Sequence, residues 1–199
     1  PNLDRATPYF NKNNLFMQIA STVSGLLLCL IGLTAQSQTN QKNNQVGKMQ
    51  LVWSDEFDYK GLPDPKKWNH DVGGWGWGNN ELQYYTKDSL ANARVENGLL
   101  TIELKQQSIE DRKYSSARLV TKGKGDWIYG RIDVRAKLPK GLGTWPAIWM
   151  LGSTTPLKWP DDGEIDIMEH VGFNPGFIHA TTHTKSFNHM IGNQKTDTI

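Results

Sequence analysis

The sequence has one cysteine, Cys29, and so cannot close a disulfide within the chain. It has no long apolar stretch either: the longest run, Val23 to Leu33, is about 11 residues, against the roughly 20 that a membrane-spanning helix needs. Charge of one sign is also missing. Lys and Arg number 22 and Asp and Glu 20, a formal net charge of +2, which gives no field to gather nucleic acid or an anionic membrane. There is no internal repeat, and no 3.6-residue apolar period long enough for a helix of more than a turn or two. What is plentiful is flat or flexible: eight Trp and 19 Gly in a chain only 37% hydrophobic. That composition describes a turn-rich β protein with aromatic surfaces, not a helical bundle.

Four segments follow from composition. Residues 1–16 precede the first methionine, Met17, and are expected to be an upstream segment outside the native protein. Residues 17–37 read as a secretory signal peptide: the short apolar run is followed by the small and polar residues Thr34-Ala35-Gln36-Ser37-Gln38, with cleavage after Ala35 or Ser37. No Lys or Arg lies between Met17 and the apolar run, a departure from the usual pattern. Leu26-Leu27-Leu28-Cys29 lacks the small residue that a lipid-anchor site places before its cysteine, so the mature form is expected to be secreted and free of the membrane. Residues 38–47, rich in Gln and Asn and nearly devoid of apolar side chains, read as a linker. One folded domain is expected over 48–199.

In that domain short runs alternate apolar with polar residues, or pack β-branched ones, between Gly, Pro, Asn and Asp: Leu51 to Phe57, Leu99 to Lys105, Ala117 to Thr121, Gly130 to Leu138, Ala147 to Leu151, Glu164 to Glu169 and Ile178 to His183. Arg131 to Leu138 has a strict period of two, as a strand with one buried and one wet face does. Asn97-Gly98 marks a hairpin turn. The pattern predicts an all-β fold, an antiparallel, curved β-sandwich. No closing strand is visible after Ile178 to His183, so the sandwich is expected to be incomplete on its C-terminal side.

The segment Gly163-Glu164-Ile165-Asp166-Ile167-Met168-Glu169-His170 places three carboxylates on one β-prone, apolar-interleaved strand. Desolvating a carboxylate costs several kcal/mol unless it is paired, and like charges side by side raise at least one pKa. Glycoside hydrolysis has a use for such a cluster, with one carboxylate ionised and another protonated. Glu164 and Asp166 share a face at a Cα spacing of roughly 6.6 Å, while a regular strand would turn Glu169 away. A β-bulge at Ile167-Met168, two residues counting as one, returns Glu169 to that face. The outer Cα atoms are then still about 13 Å apart, so the sheet must be concave for their carboxylates to approach. On pattern alone two plainer readings compete: a solvated acidic strand and a divalent-cation site. An EF-hand is excluded by the spacing.

Before the acidic segment come Gly143-Thr144-Trp145-Pro146-Ala147-Ile148-Trp149-Met150-Leu151 and Trp75-Gly76-Trp77-Gly78-Asn79-Asn80-Glu81-Leu82-Gln83-Tyr84-Tyr85-Thr86. Together these segments resemble glycoside hydrolase family 16, and within it the laminarinase-type endo-β-1,3-glucanases. The similarity runs from about Leu51 to His183 and includes Ser116-Ala117-Arg118-Leu119-Val120-Thr121-Lys122. The resemblance implies a jelly-roll, concanavalin A-like sandwich and a monomeric, retaining hydrolase of β-glucan. It assigns Glu164 as nucleophile, Asp166 as the carboxylate that orients it and Glu169 as acid/base. It places Asn80, Arg118, Trp145, Trp149 and His183 at the substrate. No cofactor is implied for the chemistry. A structural calcium with Glu56 and Gly98 among its ligands is implied, but its usual Asp partner near the C-terminus has no counterpart here.

Other side chains keep plainer expectations. Trp53, Trp68 and Trp127 are expected in the core, and Trp75 and Trp77, in a Gly-rich loop, in either role. His179 and His183, four residues apart on a strand and so about 13 Å apart, cannot share an ion. The alternatives within the family are hydrolases of mixed-linkage glucan, agar or carrageenan. Met168 disfavours the mixed-linkage lichenases, whose motif is one residue shorter, and no Lys/Arg cluster suits a sulfated galactan. A non-catalytic β-glucan-binding module could dispense with both Glu164 and Glu169, which this sequence keeps.

Overall fold

The structure, a computed structural model, describes residues 49–199. The upstream segment, signal peptide and linker expected from the sequence lie outside the described residues.

Among the described residues the chain forms ten strands and one short 3-10 helix, and no α-helix. In chain order they are β1 (Asn69–Asp71), β2 (Gln83–Tyr85), β3 (Ala93–Glu96), β4 (Leu99–Ile102), β5 (Tyr114–Ser116), β6 (Arg118–Val120), β7 (Ala147–Leu151), β8 (Glu164–Glu169), β9 (His179–His183), the 3-10 helix His189–Ile191, and β10 (Lys195–Thr198). A four-stranded antiparallel sheet in the order β10-β9-β8-β7 carries the acidic segment, and β1-β6, β2-β5 and β3-β4 are two-stranded pairs. The β3–β4 hairpin turns at Asn97 (φ 55°) and Gly98 (φ 72°), a pair of positive φ angles that Asn and Gly tolerate best.

Three expectations are corrected. Gly130 to Leu138 is not a strand: its backbone has no ladder partner among the described residues, although Ile132, Val134, Ala136 and Leu138 do line one hollow, against Ile148, Ile167, Met168 and Ile178. The period of two therefore marks a real face, but pairing needs a neighbour at hydrogen-bonding distance, which periodicity does not supply. Leu51 to Phe57 likewise forms no strand. One strand that the pattern does not announce follows His183: β10 pairs with β9 from Lys195↔Thr182 to Thr198↔His179, as the edge of its sheet, and does not close the sandwich. All four of its residues are exposed, so it has no buried face for a hydrophobic pattern to announce, and Thr supplies only β-branching. Finally, β2 and β5 pair in parallel, the exception in an otherwise antiparallel set.

The buried apolar residues are small, namely Ala93, Val95, Ala117 and Val171. Beside them Asn92 donates to Ser115 Oγ (3.0 Å) and to the Glu103 carbonyl (3.1 Å) and accepts from Thr86 (3.0 Å), so this buried polar plug is satisfied. Trp53 meets Trp68 and Trp127 edge-on at 5.5 and 5.7 Å, but the three pack half-buried and not in the core where the sequence put them. Trp68 Nε1 also donates to Asp55 at 2.8 Å.

Candidate active site

The bulge in β8 is present, at the residues where the carboxylate pattern requires it. On the β7 side, Ile148 opposes Met168 and Trp149 opposes Asp166, which leaves Ile167 without a partner of its own. On the β9 side, Thr181 opposes Asp166 and His179 opposes Glu169, so one residue of β9 faces two of β8. Ala147, Trp149 and Leu151 alternate along β7 and face Glu169, Asp166 and Glu164 respectively. The three carboxylates therefore share one face of the sheet.

Each outer glutamate is held by an indole. Trp145 Nε1 donates to Glu169 Oε1 at 2.9 Å, and Trp159 Nε1 donates to Glu164 Oε2 at 2.5 Å. Both tryptophans precede a proline, Pro146 and Pro160, which keeps the backbone before it extended. Trp145 is set beside β8 by Gly172, whose N–H donates to the Thr144 carbonyl at 2.8 Å; a Cβ at Gly172 would collide with the Gly141 carbonyl and Thr144 Oγ1.

Asp166 sits between them, only 4% exposed. Burial first, then the charges of Glu164 and Glu169, push its carboxyl up to about 8, and it shares a hydrogen bond with Glu164. His183 Nε2 lies 3.4 Å from Asp166 Oδ2, a polar contact rather than an ion pair while Asp166 holds its proton. The cluster thus sets a neutral donor, Asp166, beside Glu164.

This carries a pH prediction. The unfolded chain releases the Asp166 proton near 3.8, the folded chain near 8, so between those values only the folded state holds it. Its contribution to stability is then present at low pH and is lost as pH rises to about 8. Asp166→Asn cannot ionise and keeps a donor toward Glu164. Relative to the wild type, the variant is expected to gain stability by a few kcal/mol between about pH 4 and 9. Urea unfolding of both chains at several pH values measures the difference; a constant difference would refute the raised carboxyl.

The aromatic wall is built around Arg118. Its guanidinium carbon lies 4.6 Å from the ring centroids of both Trp77 and Trp149, and its Nε donates to Asp71 at 3.0 Å. Trp77 in turn stacks on Trp75 at 3.8 Å and meets Tyr85 at 5.5 Å, whose hydroxyl donates to Glu81 at 2.6 Å. Trp145 and His183 thus touch the carboxylates directly, Trp149 pairs across from Asp166, and Arg118 joins them through the Trp149 ring. Asn80 is exposed in the same loop as Trp77, with φ 56°, and is not seen to contact the carboxylates. His179 pairs across from Glu169 and bonds Thr198 at 3.0 Å.

The sequence motifs missed Trp159 and Asp71, and also His189, whose ring lies against Trp159 and His183. The Trp-Pro pair repeated at 145–146 and 159–160 was the available signal for the first. Glu56 and Gly98 are both exposed, and among the described residues the cluster of three His, Cys, Asp or Glu ligands is Glu164, Asp166 and His183, which excludes Glu56. One carboxylate and one carbonyl fall short of the 6–8 oxygens calcium takes, so that site is carried by the resemblance alone.

A mainly antiparallel β fold, a bulged strand with three carboxylates on one face, and aromatic walls around them are the elements of which carbohydrate sites are built. Residues 79–199 match the description "XgeA-like, catalytic GH16 domain". The chain is 55% identical over 177 residues to a β-glucanase of Rhodothermus marinus, covering 87% of this chain and 61% of that protein. The crystal structure of the Rhodothermus marinus laminarinase superposes with a TM-score of 0.73 at 61% identity, over 75% of this chain and 61% of that one. A mutant of SCLam, a non-specific endo-β-1,3(4)-glucanase co-crystallised with 1,3-β-D-cellotriosyl-glucose, matches with a TM-score of 0.72 at 49% identity, again over 75% and 61%. The chain belongs to glycoside hydrolase family 16 and has its jelly-roll β-sandwich fold, and it spans about 61% of the length of these relatives.

Proposed function

We propose that the protein is a secreted, monomeric, retaining hydrolase that cleaves internal β-1,3-glucosidic bonds of laminarin-like glucans through a covalent glycosyl-enzyme intermediate. The observation that carries the reading is the bulged strand, which puts Glu164 and Glu169 on one face with neutral Asp166 between them. Glu164 attacks the anomeric carbon while the bond from that carbon to the departing oxygen breaks, and Glu169 gives that oxygen its proton. In the second step Glu169, now a carboxylate, takes a proton from water as the water displaces Glu164. Asp166 hydrogen-bonds Glu164 throughout and fixes its orientation. Trp145 and Trp149 offer flat faces to the C–H surfaces of glucose rings, and Arg118 and His183 offer donors to hydroxyls. The substrate follows from the named activities of the Rhodothermus marinus relatives. The mixed oligosaccharide bound by the non-specific glucanase favours a second reading, in which β-1,3(4)-glucan is also cut.

The test is to incubate the full-length protein with laminarin, mixed-linkage glucan, agarose and carrageenan and to follow reducing ends. New ends are expected from laminarin, and proton NMR is expected to find the β-anomer first. Activity on agarose without laminarin overturns the substrate, and an α-anomer appearing first overturns Glu164 as nucleophile.

A further inference from the structure

Between β9 and β10, the segment from Thr184 to Asn193 is organised by one buried side chain. Asn188, 3% exposed, donates through Nδ2 to the carbonyls of Thr184 (3.0 Å) and Lys185 (3.3 Å) and accepts from the Met190 N–H (3.1 Å). Its own N–H donates to Asn193 Oδ1 at 3.0 Å, and Asn193 Nδ2 donates back to the Ser186 carbonyl at 3.0 Å. Such a closed set of bonds holds a loop in one shape. The next residue along, His189, is what the loop presents. Its ring lies 4.8 Å from the Trp159 ring, tilted by 35°, and meets the His183 ring edge-on at 5.2 Å. Trp159 and His183 also touch, at 5.8 Å, so the three rings form one cluster.

The cluster touches two of the three carboxylates, Glu164 and Asp166. Trp159 is the donor to Glu164, and His183 is the partner of Asp166. His189 is therefore in contact with the groups that hold both carboxylates, while its own ring makes no hydrogen bond among the described residues. We propose that His189 is a positioning residue for Glu164, acting through Trp159. Stacking on the indole fixes the tilt of the ring and so the direction of its N–H, which decides which oxygen of Glu164 is left to attack. The inference rests on the assignment of Glu164 as nucleophile, and its test includes a reading that needs no activity.

The indole N–H signals of the full-length protein are recorded by proton–nitrogen correlation NMR, and Trp159→Phe identifies the Trp159 signal by its loss. A hydrogen bond to a carboxylate moves that signal downfield. In His189→Ala it is expected to move upfield, and in His189→Phe, which restores a flat ring, to return; the remaining indole signals report that the fold is intact. On laminarin, His189→Ala is expected to lower kcat about tenfold with KM changed less than about twofold, and His189→Phe to recover most of kcat. A Trp159 signal that stays in place in His189→Ala, or in His189→Leu should the alanine variant not fold, overturns the proposal. So does a raised KM at unchanged kcat, which would mean direct substrate contact, or a kcat loss that phenylalanine does not repair. An inactive wild type whose indole signal still responds to His189 would sink the proposed function while leaving the contact standing.

Discussion

Glu164→Ala is expected to lower turnover of laminarin by at least ~10⁴-fold, because without a nucleophile no covalent intermediate forms. The fold should survive, since Glu164 is only half-buried and its hydrogen-bonding partner Trp159 reaches it from a loop. The vacated space lies under the anomeric carbon, and a small anion can occupy it. Azide is expected to restore part of the turnover on an aryl glucoside and to give the α-glucosyl azide, with one inversion in place of the two that a retaining enzyme performs. Proton NMR of that product is the measurement. A β-azide, or no rescue by any small anion, would show that the attacking group is elsewhere. Trp159 bears on the same experiment, because its N–H loses its acceptor in the variant.

The second large effect is expected from Glu169→Ala, and its size should depend on the substrate. A glucosyl leaving group departs as a poor base's opposite, an alkoxide, unless it is protonated; a general acid typically contributes 10²–10⁴-fold. The loss on laminarin should therefore be ~10³-fold or more, whereas a dinitrophenyl glycoside, whose leaving group needs no proton, should lose little in its first step. Azide is expected here to yield the β-azide, because the intermediate on Glu164 still forms and is opened by a nucleophile that needs no base. Equal losses on both substrates would remove Glu169 from the acid role. Trp145, which donates to Glu169 at 2.9 Å while 61% exposed, is free to release the carboxyl when a sugar arrives.

Strand β8, strand β7 and the hairpin at Asn97-Gly98 were legible because local chemistry specifies them: alternation gives the first, a short apolar run between Pro146 and Gly152 the second, and the turn pair the third. The bulge was legible for a different reason. Three carboxylates at that spacing serve one reaction only if two residues count as one, so the chemistry implied the backbone. What stayed hidden depends on partners distant in sequence. The segment from Gly130 to Leu138 has the period of a strand and no neighbour to pair with, and β10 has a neighbour without the period. Asp71 reaches Arg118 across 47 positions, and His189 reaches Trp159 with two whole strands, β8 and β9, between them in sequence. The division of labour among the carboxylates was only partly visible, since nothing in the spacing says that Asp166 is the one burial keeps neutral.

The register shift at Ile167 has a consequence for how such a site can be adjusted. Either side of it, the two glutamates belong to separately hydrogen-bonded stretches of the same strand, so the angle between those stretches sets how far apart the carboxylates stand. Ile167 and Met168, the residues of the shift, line the hollow shared with Ile148 and Ile178. A methyl group gained or lost in that hollow is expected to change the bite of the pair as turning the screw of a vice does, without altering a carboxylate.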